Sequence, residues 1–277
     1  MKKILFILLS AIPFVFSSCA TPGSNIKDYD VLSQFSAIGA LKCGVYDGNI
    51  TCGDVKQFGD FGIGTFNGLD GEMVMLDGQI YQIMSDGVAY TVKDEQKTPF
   101  ACVTFFRSDK KIKFPGGLTY KKLVDMLNRL TSDAPNSFYA VKVTGKFRQM
   151  KTRSVPLQWK PYSPLSEALK EQKIFNFENI SGTIVGIKSP GYVGDMNVPG
   201  CHFHFLTADG KAGGHVLGFI TDNITVEIDK KNNFFVMLPD TPEFNKAGIN
   251  KVKNDDTEEI RAEDESELST AAENGGE

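Results

Sequence analysis

The chain carries only three histidines, and all of them lie within 14 residues: His202, His204 and His215. Cys201-His202-Phe203-His204-Phe205 has the alternation of a β-strand, whose period of two sends both imidazoles to one face and Phe203 and Phe205 to the other. Thr207 to Gly214 is polar and glycine-rich, reads as a turn, and returns the chain at His215-Val216-Leu217. Antiparallel pairing across that turn brings His215 opposite the His-x-His pair, and Gly213 and Gly214 let the backbone come close without a side chain in the way. Three neutral imidazoles with a position left for water or substrate form the ligand set of a catalytic zinc. Manganese and iron are alternatives, but nitrogen donors favour zinc or a similar late metal. The competing reading is two surface histidines on a strand and one in a loop. The returning hairpin, and the lack of any histidine elsewhere, favour a metal.

The rest of the chain must hold that hairpin in place. Of 277 residues, 41% are hydrophobic and 21 are Phe, enough for a substantial core and too apolar for a disordered chain, a collagen-like fibre or a coiled coil. A formal net charge of −4 argues against a nucleic-acid partner. Lys2 and Lys3 precede an apolar run from Ile4 to Phe16, too short to cross a bilayer as a helix, so residues 1–18 read as a signal peptide. Ser17-Ser18-Cys19 resembles a lipobox with cleavage before Cys19, the alternative being an ordinary secretory signal with an incidental cysteine; the expected location is the bacterial envelope, with membrane contact only through a lipid anchor. Residues 19–29 read as a linker. Residues 255–277 hold ten acidic residues against one basic, an acidic tail whose distal part has no apolar periodicity. Its proximal part, Glu258 to Asp264, reads as a solvated tail or as a helical turn folded back onto the body. No CxxC occurs among the cysteines; Cys43 and Cys52 are either a disulfide pair or buried thiols.

Within the body, residues 30–254, the pattern predicts a β-rich α+β fold: mixed and antiparallel sheets in two sub-domains, with three or four packed helices and a soft division near 150–163. Helical spacing of Val31, Leu32, Phe35, Ile38 and Leu41 predicts a helix over Asp30 to Val45, and Thr51 is placed to cap a short helix reaching Phe58. Asp-Gly pairs at 70–71, 77–78 and 86–87 make Ile63 to Val92 a meander. Further strands are expected at Phe100–Phe106, Phe138–Phe147, Phe175–Ile187, Cys201–Thr207, His215–Ile228 and Phe234–Leu238. Helices are expected after Thr119 and after Ser163-Pro164.

Gly200 to Leu206 with Gly213-Gly214-His215-Val216-Leu217 resembles the zinc motif of bacterial α-acetolactate decarboxylases. The likeness extends, in family order, through Phe35 to Gly48, Gly59 to Met73, Lys97 to Ala101, Phe138 to Val141 and Lys151 to Pro156. It implies decarboxylation of a small 2-hydroxy-3-keto acid, acetolactate, to acetoin, with Zn2+ on His202, His204 and His215 and a homodimeric assembly. It further implies that Arg153 steers the carboxylate, that Glu72 ligates the metal or moves a proton, and that Thr65 contacts the product. The family also brings a tail carboxylate to the metal. Here Asp264 stands where a glutamate is expected, with Glu263 one residue away, so either could serve. Without the resemblance, Arg153 reads as a surface arginine and Glu72 as a solvent-facing residue after a turn. A zinc-binding surface lipoprotein and a zinc hydrolase are the competing functions.

Overall fold

A computed structural model of the chain describes residues 28–249. The signal segment, most of the linker and the acidic tail, with Glu263 and Asp264, lie outside the described residues.

The chain begins with β1 (Val31–Phe35), α1 (Ile38–Lys42), β2 (Ile50–Thr51) and α2 (Cys52–Val55). The meander follows as β3 (Phe61–Thr65), β4 (Glu72–Leu76), β5 (Gln79–Ile83) and β6 (Ala89–Thr91), then β7 (Lys97–Thr98) and β8 (Ala101–Thr104). Next come β9 (Lys110–Phe114), α3 (Tyr120–Leu130), β10 (Phe138–Ser154) and α4 (Leu165–Leu169). The last elements are β11 (Lys173–Ser189), β12 (Gly200–Thr207), β13 (Gly213–Lys231), β14 (Asn233–Met237) and α5 (Pro242–Lys246). The fold is β-rich α+β.

Seven strands form one sheet in the order β14-β1-β8-β3-β4-β5-β6, and β2 pairs with β7 alone. The second sheet runs β10-β11-β12-β13-β9, and β13 pairs with β10 as well. The ladder of β10, β11, β12 and β13 therefore closes into a ring. At its tightest point His215 lies opposite His204 on β12 along one edge and opposite Arg153 on β10 along the other.

The sheets meet face to face where β3 and β4 pack on β11 and β12. Leu32, Phe61, Ile63 and Val74 there bury against Ala140, Val185, Ile187 and Leu206. On the far side, α3 drives Leu123, Met126 and Leu127 into a cluster with Phe147, Phe203, Phe205 and Phe219. Each of these side chains contributes roughly 1.5–3 kcal/mol on leaving water. Phe203 and Phe205 thus fix the roll of β12, which leaves His202 and His204 facing the first sheet.

Several elements differ from expectation. The helix over Asp30–Val45 is only half present: Val31 to Phe35 is a strand, Ser36 turns the chain at φ 69°, and helix occupies only Ile38–Lys42. Because β1 lies between β14 and β8, buried on both faces, its apolar residues lose the alternation of a half-exposed strand. Thr51 does cap α2, accepting from the Asp54 amide in a reciprocal capping box, but that helix ends at Val55. β10 runs past Phe147 to Ser154, through the start of the stretch expected as a division. The cysteines of the described body are free thiols, Cys43 half-buried and Cys52 buried.

Candidate metal centre

Two imidazoles come from β12 and one from β13. The returning strand fits because Gly213 and Gly214 carry no side chains. A Cβ on Gly213 would sit 2.1 Å from the Phe205 carbonyl oxygen, and one on Gly214 2.5 Å from that of Arg153. Gly214 also adopts φ +134°, which side chains rarely tolerate. Thr207 and Asp209 shape the turn between the strands, the Ala212 and Lys211 amides donating to their side-chain oxygens.

The rings converge. His202 Nε2 lies 3.1 Å from His215 Nδ1 and 3.2 Å from His204 Nε2. Three nitrogens each about 2.0–2.1 Å from one ion would stand about 3.3 Å apart, close to what is found. His204 Nδ1 lies 2.8 Å from the Met73 carbonyl and donates to it, so its tautomer leaves Nε2 with a lone pair for the common focus. Burial pushes the pKa of His204 down to about 4, with Arg153 adding to the effect and the Met73 carbonyl opposing it. The ring is therefore neutral, as a ligand must be. Among the described residues these histidines form a group able to hold a metal ion.

Glu72, at the start of β4, places Oε2 3.4 Å from His204 Nε2. Burial raises its pKa to about 7, while the Arg153 cation pulls the other way. Thr65 faces Glu72 across the β3–β4 ladder and donates its hydroxyl to the Gly71 carbonyl at 2.7 Å. Arg153, opposite His215, donates to the side-chain oxygen of Gln172 at 3.1 Å.

All six residues line one cavity of about 130 Å³. That is room for a small organic acid and short of the several hundred Å³ that larger ligands need. Much of the remaining lining is apolar: Leu69, Phe100, Val155, Leu165 and Leu169 of α4, and Val198, which cluster together. Glu72 and Arg153 are therefore neither solvent-facing nor scattered on the surface. Sequence reasoning gave no site role to the apolar lining, although Leu69, Phe100 and Val155 lie in the segments that carry the family likeness, and it missed the Gln172 contact, which leaves no local signal. The Met73 carbonyl carries no side-chain signal at all.

A three-imidazole group able to hold a metal ion, set in a closed β-ring with Glu72 and Arg153 in the same cavity, is the class of site that the described residues define. Residues 32–251 match the model of the alpha-acetolactate decarboxylase family. The chain is 46% identical to the alpha-acetolactate decarboxylase of Methanosarcina mazei over 83% of its length and 80% of that protein's. It is 41% identical to the one from Bacillus subtilis over 82% of this chain and 89% of that protein. The crystal structure of the B. subtilis 168 enzyme superposes with a TM-score of 0.79 at 39% identity, covering 83% of this chain and 97% of that one. The chain belongs to the alpha-acetolactate decarboxylase family.

Proposed function

We propose that this protein decarboxylates (S)-2-acetolactate to (R)-acetoin and CO2 with a zinc ion on His202, His204 and His215. The observation that carries the reading is that those three nitrogens, Glu72 and Arg153 line a single small cavity. Losing CO2 leaves an electron pair on carbon that must be delocalised onto the neighbouring ketone. The bound cation would supply the Lewis acid that draws this pair toward the ketone oxygen.

The chain's own groups do the rest. Arg153, fixed by Gln172, presents its fork to the substrate carboxylate and holds the breaking bond in one orientation. Once CO2 departs, the enediolate needs one proton on carbon. Glu72, with its pKa near neutrality, can hold that proton at Oε2 and deliver it from one face, which sets the product's handedness. Thr65, its own proton committed to Gly71, offers lone pairs to a hydroxyl. The apolar walls keep bulk water from competing for the carbanion. By the family resemblance, a tail carboxylate, Glu263 or Asp264, would serve as a further ligand.

Incubating the zinc-loaded protein with racemic acetolactate and measuring acetoin tests the reading. Formation of one acetoin enantiomer supports it; no acetoin from fully metallated protein overturns it and leaves a zinc-binding protein or a hydrolase. We infer, too, that the chain is exported and lipid-anchored at Cys19, supported by the basic, apolar and small-residue order of residues 1–19. Failure of labelled palmitate to enter the wild type, while it enters a control lipoprotein, would reject the anchor.

A further inference from the structure

Between β11 and β12 the chain crosses the cavity rim as a strap. It begins with a 3-10 turn over Gly191–Met196 and continues through Asn197-Val198-Pro199 into the strand that carries His202 and His204. Val198 and Pro199 are cavity wall. Helix α1 forms the adjoining wall with Ile38, Leu41 and Lys42. Lys42 Nζ donates to Asp195 Oδ1 of the strap at 3.2 Å, with the two side chains only 10% and 30% exposed. The approach is close in the backbone as well: a Cβ on Gly39 would lie 3.0 Å from that of Asp195. Gly194 and Gly200, both at positive φ, bracket Asp195 to Pro199.

We propose that Lys42 and Asp195 form an ionic clasp that holds the strap against α1 and so sets the shape of the substrate cavity. They are positioning residues that act through Val198 and Pro199. The proposal rests on the catalytic reading of the cavity, but its main test does not depend on it. The strap is also anchored at Tyr192, whose hydroxyl donates to the Asn136 carbonyl, at Met196, whose carbonyl accepts from the Gln34 amide, and at Asn197, which donates to the Gln34 side chain. The clasp adds a polar tie from the strap to α1.

The test is hydrogen exchange of the amides in residues 190–199, read by mass spectrometry on the full zinc-loaded protein. K42M and D195N are each expected to speed exchange there about fivefold, the scale of one partly shielded ion pair, with β10 and β13 unchanged. The swapped double variant K42D/D195K restores slow exchange. In turnover, each single variant raises KM several-fold with a smaller change in kcat, and the swap recovers KM. Unaltered strap exchange in both single variants overturns the clasp. Slow exchange in the swap without recovery of KM overturns it as the determinant of the cavity, because the Lys42 charge would then act on the substrate directly. If the wild type makes no acetoin, the functional reading fails while the exchange data still judge the clasp.

Discussion

Replacing Glu72 by glutamine should push stability and activity in opposite directions. The carboxyl is buried, and its pKa stands at about 7 against an ordinary 4.5. Protons therefore leave the unfolded chain first and the folded chain later, so the folded state loses stability as pH rises from 4.5 to about 7. The full loss is about 3 kcal/mol. The glutamine of E72Q cannot ionise and escapes it, although its amide needs partners, at a cost of about 1–3 kcal/mol if they are missing. That cost does not vary with pH, so the difference between two pH values isolates the charge. In metal-stripped protein, guanidinium denaturation should show E72Q gaining about 2 kcal/mol on the wild type between pH 5 and pH 8. The zinc-loaded variant should lose roughly 10²- to 10⁴-fold in kcat for acetoin release, the worth of a placed proton donor. A stability difference that stays flat with pH would refute the account of the buried carboxyl, and an unimpaired kcat would refute its role in proton transfer.

Removing one ligand in H204A should lower zinc affinity at least 10-fold, the scale on which lesser, outer-shell changes act, as competition with a chromogenic chelator would show. R153K keeps the charge but loses the fork, and should raise KM for acetolactate about tenfold with zinc content unchanged by elemental analysis. Truncation after Arg261 should weaken zinc binding and turnover together; an intact truncated enzyme would eliminate both Glu263 and Asp264 as ligands. Far from the site, Lys231 is fully buried and donates to Asp229 at 2.6 Å and to the Phe105 carbonyl at 3.1 Å. K231M would strand the Asp229 carboxylate and cost about 3–5 kcal/mol in denaturant titrations, part of it recovered in K231M/D229L.

The convergence of the three imidazoles was legible because it obeys two short-range rules, strand alternation at His202 and His204 and a glycine-rich turn before His215. The meander was legible for the same reason: Asp77 and Gly78 both take the positive φ that their residue types tolerate. What the pattern hid was long-range. Arg153 meets His215 only because two strands 62 positions apart pair side by side. Strand β9 went unpredicted, since Lys110, Lys111 and Lys113 make it look like loop. Those charges suit the rim of a sheet, and β9 is bonded only to β13. The Lys42 contact with Asp195 spans 153 positions and leaves no local trace.

The unbroken circuit of β10 to β13 has a consequence for how an ion would enter the site. All three donor rings hang from paired backbone, with Phe203 and Phe205 packed on the opposite face of β12 and the Met73 peptide oxygen holding the His204 ring. Their convergence is thus set in large part by the fold. Unlike small zinc modules that collapse under chelation, this scaffold should survive an empty interval intact and accept its metal last, as a plug enters a finished socket.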